Sequence, residues 1–353
     1  MIGTTLPTVT YLALGGTIAS VTSGGTGDTG GPAHRPGAVP RLDAHDLLAG
    51  VPAIAQTARV DAHQLTLVPS PSLGFADVQS ALRAARRAVA TGASGVVVSQ
   101  GTDTIEETAY LLDLGWDRPE PLVVTGAMRH ASAPGADGPA NLLAAMRVAA
   151  EPAARGRGVL VVLDDEVHAA STVRKAHTSS TGAFASPGTG PLGWVAEGLP
   201  VFHAPAQQAP AVTDHVAPLP PVALHRVSLD DDGRVLEALG DLGYRGAVIE
   251  GFGGGHVSER TLDAVRTLAR RMPVVMASRT GAGPTLAATY GFRGGEIDLL
   301  AAGLVPAGYL DGLKSRLLLA VLLAVDAPQD RVHAEFRARG RGSSRSAVPD
   351  PRS

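Results

Sequence analysis

The chain has 353 residues, 44% of them hydrophobic, enough for more than one core because single cores seldom grow past about 250–300 residues. Its formal net charge is −3 and its basic residues are scattered except in the extreme tail, so no nucleic-acid partner is expected and a small neutral or zwitterionic one is. The absence of cysteine excludes disulfides, thiol nucleophiles and cysteinyl metal sites together.

The first predicted element is the strand-like run Thr8-Val9-Thr10-Tyr11-Leu12-Ala13-Leu14. No basic region or long apolar segment precedes it, so no signal peptide is expected and the protein reads as cytoplasmic. The polar corner Gly15-Gly16-Thr17-Ile18-Ala19 follows, and then a Gly-rich stretch, residues 21–40, of the length and flexibility of a lid. A short helix at 43–49, a strand at 64–69 and a helix at 75–90, with Arg83, Arg86 and Arg87 outward, lead to Gly95-Val96-Val97-Val98-Ser99. This β-branched run reaches a second corner, Gly101-Thr102-Asp103-Thr104, beyond which Ile105, Thr108 and Leu112 fall on one helical face. A strand at 122–125, a helix at 139–150 with Pro139 in its first turn, and a strand at 158–163 continue the alternation. Strands alternating with helices predict an α/β fold with a mainly parallel sheet flanked by helices, its ligands beyond the carboxyl ends of the strands.

Residues 205–221, with Pro205, Pro210, Pro218, Pro220 and Pro221, read as a linker between a larger catalytic domain (1–204) and a smaller α/β domain (222–336). In the second, strands at 223–228, 246–250 and 273–277 alternate with helices at 236–242, 258–270 and 312–325. The apolar run 317–325 is far shorter than the roughly 20 residues of a membrane span, so it is a core helix and no membrane partner is expected. The tail, 337–353, is Arg, Ser, Gly and Pro with hardly any apolar residue, and is expected to be disordered.

Each of the two corners puts a threonine on a tight turn, where unpaired backbone N–H groups and the positive end of a helix dipole favour polar ligands. The plain alternative is that Asp103 or Thr104 caps a helix, with Glu106 and Glu107 in its first turn. A threonine hydroxyl attacks a carbonyl only with a base to take its proton and donors for the oxyanion. No Gly-x-Ser-x-Gly is present and none of the eleven histidines sits in a telling context. Lys175, in Thr172-Val173-Arg174-Lys175-Ala176-His177-Thr178, stands among small and hydroxylic residues after a predicted parallel strand. Beside Thr102 and Asp103 it would carry or relay that proton. Asp164-Asp165-Glu166-Val167-His168 lacks a second set of metal ligands, and Asp230-Asp231-Asp232-Gly233 lacks the spacing of a calcium loop, so both read as turns. Gly15-Gly16 opens no dinucleotide fingerprint, and Lys314-Ser315 lacks the glycine before a phosphate-loop lysine.

Gly15-Gly16-Thr17-Ile18-Ala19 and Gly101-Thr102-Asp103-Thr104-Ile105-Glu106-Glu107-Thr108-Ala109 resemble the two signature motifs of bacterial-type L-asparaginases, the family that also contains the glutaminase-asparaginases. The likeness runs on through Gly126-Ala127-Met128-Arg129, Ala136-Asp137-Gly138-Pro139 with Asn141, the Lys175 segment, Gly190-Pro191-Leu192-Gly193, and Lys314 with Arg316 after Tyr309-Leu310. The resemblance implies hydrolysis of L-asparagine to L-aspartate and ammonia through a threonine acyl ester, without metal or organic cofactor. Thr17 resembles the nucleophile; Thr102, Asp103 and Lys175 resemble the group that activates and orients water or nucleophile, and the order of the two threonines stays open. Ser70 falls where the family holds the substrate α-carboxylate, Asp103 would take the α-ammonium, and Glu296 lies at the position of an acid given by a neighbouring subunit. A homotetramer of close dimers is implied as well. Two departures stand out: the stretch 21–40 has no tyrosine, with His34 or Arg35 as replacements, and Gly253-Gly254-Gly255-His256 replaces Gly-Asn-Gly-Asn. The alternatives are a glutaminase-asparaginase of broader specificity, a non-catalytic amino-acid-binding homologue, or the amidase subunit of a tRNA-dependent amidotransferase. The last would want an extra domain and a basic surface.

Overall fold

The computed structural model describes residues 6–22, 37–213 and 218–341. The chain divides into two compact units, Met1–Ser186 with Gly190–Asp214, and Pro187–Thr189 with His215–Ser353.

The first unit begins with β1 (Thr8–Gly15), β2 (Ser20–Thr22), β3 (Ala38–Pro40), α1 (Ala44–Ala49), β4 (Arg59–Val68) and α2 (Phe75–Ala90). It continues through β5 (Gly95–Ser99), α3 (Ile105–Gly115), β6 (Leu122–Thr125), α4 (Gly138–Ala150) and β7 (Val159–Leu163). Five short strands close it: β8 (Glu166–Ala169), β9 (Arg174–Lys175), β10 (Phe184–Ala185), β11 (Gly193–Ala196) and β12 (Leu199–Phe202). Eight of these strands form one sheet in the order β12-β11-β8-β7-β6-β5-β1-β4. From β4 to β7 all neighbours are parallel, whereas β8, β11 and β12 are added antiparallel. Val96, Val97 and Val98 of β5 are wholly buried because helices cover both faces, and each such side chain contributes about 1.5–3 kcal/mol over an exposed one. On one face Tyr11 and Ala13 of β1, Val97 and Val123 meet Leu142, Ala145 and Met146 of α4. In the parallel part the second strand in the chain, β4, lies on one side of β1 and the third, β5, on the other. The connections leaving β1 and β5 therefore part company above their carboxyl ends, which opens a crevice there.

The second unit contains β13 (Val222–Arg226), α5 (Arg234–Ala238), β14 (Gly246–Gly251), α6 (Glu259–Arg271) and β15 (Val274–Ser278). It ends with α7 (Glu296–Ala301), β16 (Val305–Pro306), α8 (Gly312–Ala324) and α9 (Gln329–Arg339). Its four strands are parallel and in chain order. Ser258 caps α6 by accepting from the Thr261 amide, and Leu262, Val265 and Leu268 of that helix pack on Ile249 and Met276 of the sheet. Among the described residues no helix is long and apolar enough to cross a membrane.

The α/β class with a larger and a smaller sheet is as predicted, and α2 and β6 occupy their predicted spans. Several details differ. Strands β8 to β12 went unpredicted, since each has only two to four residues and turns separate them; one turn is Asp164-Asp165, both with positive φ (53° and 60°). Arg86 does not point outward: it donates to the Gly115 carbonyl and faces Asp117 at 3.4 Å. The first half of the predicted linker is fastened to the end of α3, Gln208 Nε2 donating to the Trp116 carbonyl (2.9 Å) and the Val212 amide to that of Leu114 (2.8 Å). The first residues of the predicted tail belong to α9, and the Gly340 carbonyl accepts from the Tyr309 amide at 2.9 Å. Composition missed this because the anchor, Phe336, lies one residue ahead of the biased segment and is 1% exposed. Residues 342–353 lie outside the described residues. Phe336→Ala should destabilise the chain by ~3–5 kcal/mol, the cost of emptying a buried aromatic site, as measured by urea unfolding.

Candidate active site

Strand β1 ends on Gly15 and Gly16 follows it, with φ of 97° and 82°, a region that glycine enters without steric cost. The Gly16 amide donates to the Val68 carbonyl at the end of β4 (3.0 Å), and the Ser20 hydroxyl donates back to the Gly16 carbonyl (2.9 Å). A Cβ on Gly16 would fall 1.9 Å from the Gly101 nitrogen and 2.2 Å from its Cα. The bend carrying Thr17 is thus pressed backbone to backbone against the bend carrying Thr102. Gly101 is as closely packed on its other side, where a Cβ would meet Ser70 Oγ at 2.6 Å. Three segments remote in sequence meet here, above the carboxyl ends of β1, β4 and β5. Thr17 is half-buried, while Thr102 is 4% and Ser70 2% exposed.

Lys175 reaches this place from the β9–β10 hairpin, in which it pairs with Phe184. Its Nζ donates to Thr102 Oγ1 at 2.9 Å and to Asp103 Oδ1 at 2.5 Å. The lysine side chain is 15% exposed and that of Asp103 59%, so the ammonium is sheltered and the carboxylate opens outward. A hydrogen bond between charged groups is shorter and stronger than a neutral one, and this one aims the ammonium at the threonine oxygen. The Lys175 amide faces Glu106 Oε1 at 3.4 Å. The Asp103 amide donates to Ser70 Oγ (3.2 Å), and Thr104 Oγ1 donates to the Ser70 carbonyl (3.3 Å) while accepting from Gln100 Nε2 (3.0 Å). The helix-cap alternative is not realised, since no side chain caps α3 or the turn before it. Gln100 and Glu106 brace the corner and were not singled out from sequence: Glu106 reads there as an ordinary first-turn acid, and nothing in the pattern around Gln100 points inward.

Glu296 is engaged by the amides of its own loop. It starts α7 in the second unit with its side chain 0% exposed, and Oε1 accepts from the amides of Thr289 (2.7 Å) and Tyr290 (2.6 Å). Oε2 lies 2.9 Å from His256 Nε2. A carboxylate so enclosed holds its own loop. Burial alone would raise its pKa, but the amides of Tyr290, Glu296 and Thr289 and the nearby His256 outweigh it and hold the carboxyl below its ordinary value. His256, the departure noted in the sequence, is thus the partner of Glu296, with Tyr290 and Phe292 edge-on to its ring at 5.2 Å each. His34 and Arg35 lie outside the described residues.

Among the described residues no group of three or more His, Asp or Glu side chains is placed to hold a metal ion. Asp231, from the weighed calcium loop, accepts instead from the Gly233 amide (3.0 Å) and faces His225 Nε2 (2.7 Å).

A family model for the asparaginase N-terminal region matches residues 8–208, and one for the glutaminase/asparaginase C-terminal domain matches residues 221–336. A "Probable L-asparaginase" of Deinococcus radiodurans is 36% identical over 342 residues, covering 94% of this chain and 97% of that protein. A "Probable L-asparaginase periplasmic" of Haemophilus influenzae is 34% identical over 325 residues, 90% of this chain and 89% of its own. The crystal structure of a "Probable Cytoplasmic L-asparaginase" from Campylobacter jejuni superposes with a TM-score of 0.81 at 28% identity, over 94% of this chain and 99% of that one.

Two outcomes follow from the geometry. Gly16→Ala should cost at least ~1–3 kcal/mol in urea unfolding, because its new methyl overlaps the Gly101 backbone. Glu296→Ala should cost ~1–3 kcal/mol at neutral pH by leaving buried amides unpaired. Since the folded-state pKa of Glu296 is depressed, its stabilisation is complete above the ordinary value of 4.5 and fades as pH falls through the lowered one. The difference between wild type and Glu296→Ala in urea unfolding should accordingly shrink in acid.

Proposed function

Because the chain belongs to the asparaginase family, we infer that it hydrolyses the side-chain amide of L-asparagine to L-aspartate and ammonia. The observation that carries a site for this reaction is the Lys175 ammonium bonded to both Thr102 and Asp103, next to the bend that bears Thr17.

In the proposed mechanism Thr17 attacks the amide carbonyl. Its hydroxyl proton passes to the departing nitrogen, ammonia leaves, and the acyl group remains as an ester on Thr17. Water then attacks the ester, gives its proton back to the Thr17 oxygen and releases L-aspartate. Thr17 is assigned the first attack because it is the more exposed of the two threonines and Thr102 Oγ1 already accepts from Lys175. Thr102 and Lys175 carry protons and steady the charge that develops in each step. Asp103, largely open to solvent, receives the substrate α-ammonium. The Ser70 hydroxyl accepts from the Asp103 amide and keeps its own proton to donate to the α-carboxylate. The scheme uses side chains and water only. We further propose, on family likeness, a dimer or tetramer located in the cytoplasm; sedimentation equilibrium and cell fractionation test the two points.

Thr17→Ala, Thr102→Val and Lys175→Met should each lower ammonia release from L-asparagine by several orders of magnitude, ~10³-fold or more, in folded protein, because such groups act as a unit. Undiminished turnover in any of the three overturns the assignment. L-Glutamine run in parallel measures breadth of specificity, and titration with L-aspartate that shows binding without any ammonia release by wild type would mark a binding protein instead.

A further inference from the structure

His168 lies in β8, opposite Val161 of β7, and is 1% exposed. Its Nδ1 is 3.0 Å from Ser186 Oγ, and its Nε2 is 3.1 Å from Glu166 Oε2. Thr172 Oγ1 donates to the same Ser186 oxygen at 3.2 Å. Burial drives the imidazole pKa below its ordinary value against the upward pull of Glu166, so the ring is neutral at pH 7. With the ring proton on Nε2 toward Glu166, Nδ1 accepts from Ser186, whose oxygen in turn accepts from Thr172. Nε2 faces Glu166 without making a hydrogen bond, so the bonded chain runs from His168 Nδ1 through Ser186 to Thr172.

The location of the chain of bonds gives it meaning. Thr172 stands two residues before the first residue of β9, Arg174, and Ser186 directly follows the last residue of β10, Ala185. The two hydroxyls therefore join the two ends of the hairpin that carries Lys175, and His168 ties both to the central sheet. A ribbon of two residues per strand does not hold a fixed geometry by itself. Yet Lys175 must span from it to Thr102 and Asp103 within hydrogen-bond distance. Backbone bonds hold the hairpin as well: the Thr172 and Val173 amides donate to the Ala169 carbonyl at its base (3.1 and 3.0 Å), the Ala176 amide donates to the Ala183 carbonyl on its loop side (2.7 Å), and the Lys175 amide faces Glu106 Oε1 at 3.4 Å.

We propose that His168, Ser186 and Thr172 are positioning residues that clamp the base of the β9–β10 hairpin and so hold the Lys175 ammonium on Thr102 and Asp103. The inference rests on the catalytic role given to Lys175 above. None of the three residues is a reactant: each acts through the hairpin.

The test uses the full-length chain and steady-state ammonia release from L-asparagine, with circular dichroism and urea unfolding to measure the folded fraction. Thr172→Val keeps the shape and loses the hydroxyl, Thr172→Ser keeps the hydroxyl, and Ser186→Ala removes the shared oxygen. Thr172→Val and Ser186→Ala should each lower kcat by ~10- to 100-fold, the scale of a displacement of about 1 Å in a catalytic group. KM should stay within about twofold, Thr172→Ser should restore kcat, and the double variant should be no slower than the slower single one. Wild-type kcat in both hydroxyl-deleted proteins overturns the proposal. So does failure of Thr172→Ser to rescue, or a loss of rate that merely follows the loss of folded protein. Lys175→Met is assayed alongside: an active Lys175→Met refutes the catalytic reading of the lysine, whereas an inactive one beside fully active Thr172→Val and Ser186→Ala refutes only the clamp.

Discussion

The contact between Gly16 and Gly101 is the constraint on which the site depends. Two strand-end bends from neighbouring parallel strands approach until no side chain fits between them, and that approach sets the bend that bears Thr17 against the bend that bears Thr102. A parallel sheet favours such a meeting wherever successive connections leave a strand pair in opposite directions. The sheet supplies that topology between β1 and β5, and the valines of β5, wholly buried, give it a rigid floor. A shift of one residue in either strand would move each side chain to the opposite, equally covered face of the sheet and separate the bends, so core packing and site geometry are one requirement.

The charges are arranged so that each has work to do at one boundary of water and protein. Lys175 is mostly covered and would be costly to bury alone, but Asp103 beside it is mostly open. The pair keeps its hydration on the acid's side while the ammonium donates to a buried threonine oxygen. Its value lies in direction more than in stability, because partly exposed ion pairs contribute little net energy. The neutral hydroxyls around it, Ser70 and Thr104, are wired to backbone groups and hold the corner without adding charge.

Carboxylates of the second unit show the opposite use of the same side chain. Glu296 and Asp231 take backbone amides as partners and a histidine as neighbour, and their pKa values are lowered by donors in their own loops. Both appear in the sequence as exposed-looking acids near glycines. Their surroundings make them fasteners of loops, Glu296 for the turn at Thr289 and Tyr290, and Asp231 for the turn at Gly233.

Taken alone, the sequence determined the class of fold, the position of the long buried elements and the corners at Gly16-Thr17 and Thr102-Asp103. These depend on local physics: β-branched runs make buried strands, a 3.6-residue period makes helices, and glycine marks a bend that no other residue accepts. It also carried the family likeness, because the two threonine motifs are contiguous. Only the tertiary structure gave the acids their surroundings, Asp103 open beside Lys175 and Glu296 enclosed by its own loop, since the two do not differ in kind. It likewise decided the short strands β8 to β12, whose two to four residues carry too little pattern to be read: β8, β11 and β12 extend the edge of the large sheet, and β9 and β10 pair only with each other. His168 illustrates the limit best: its partners, Thr172 and Ser186, are 4 and 18 positions away, and nothing along the chain marks them as neighbours until the hairpin between them folds back on the sheet.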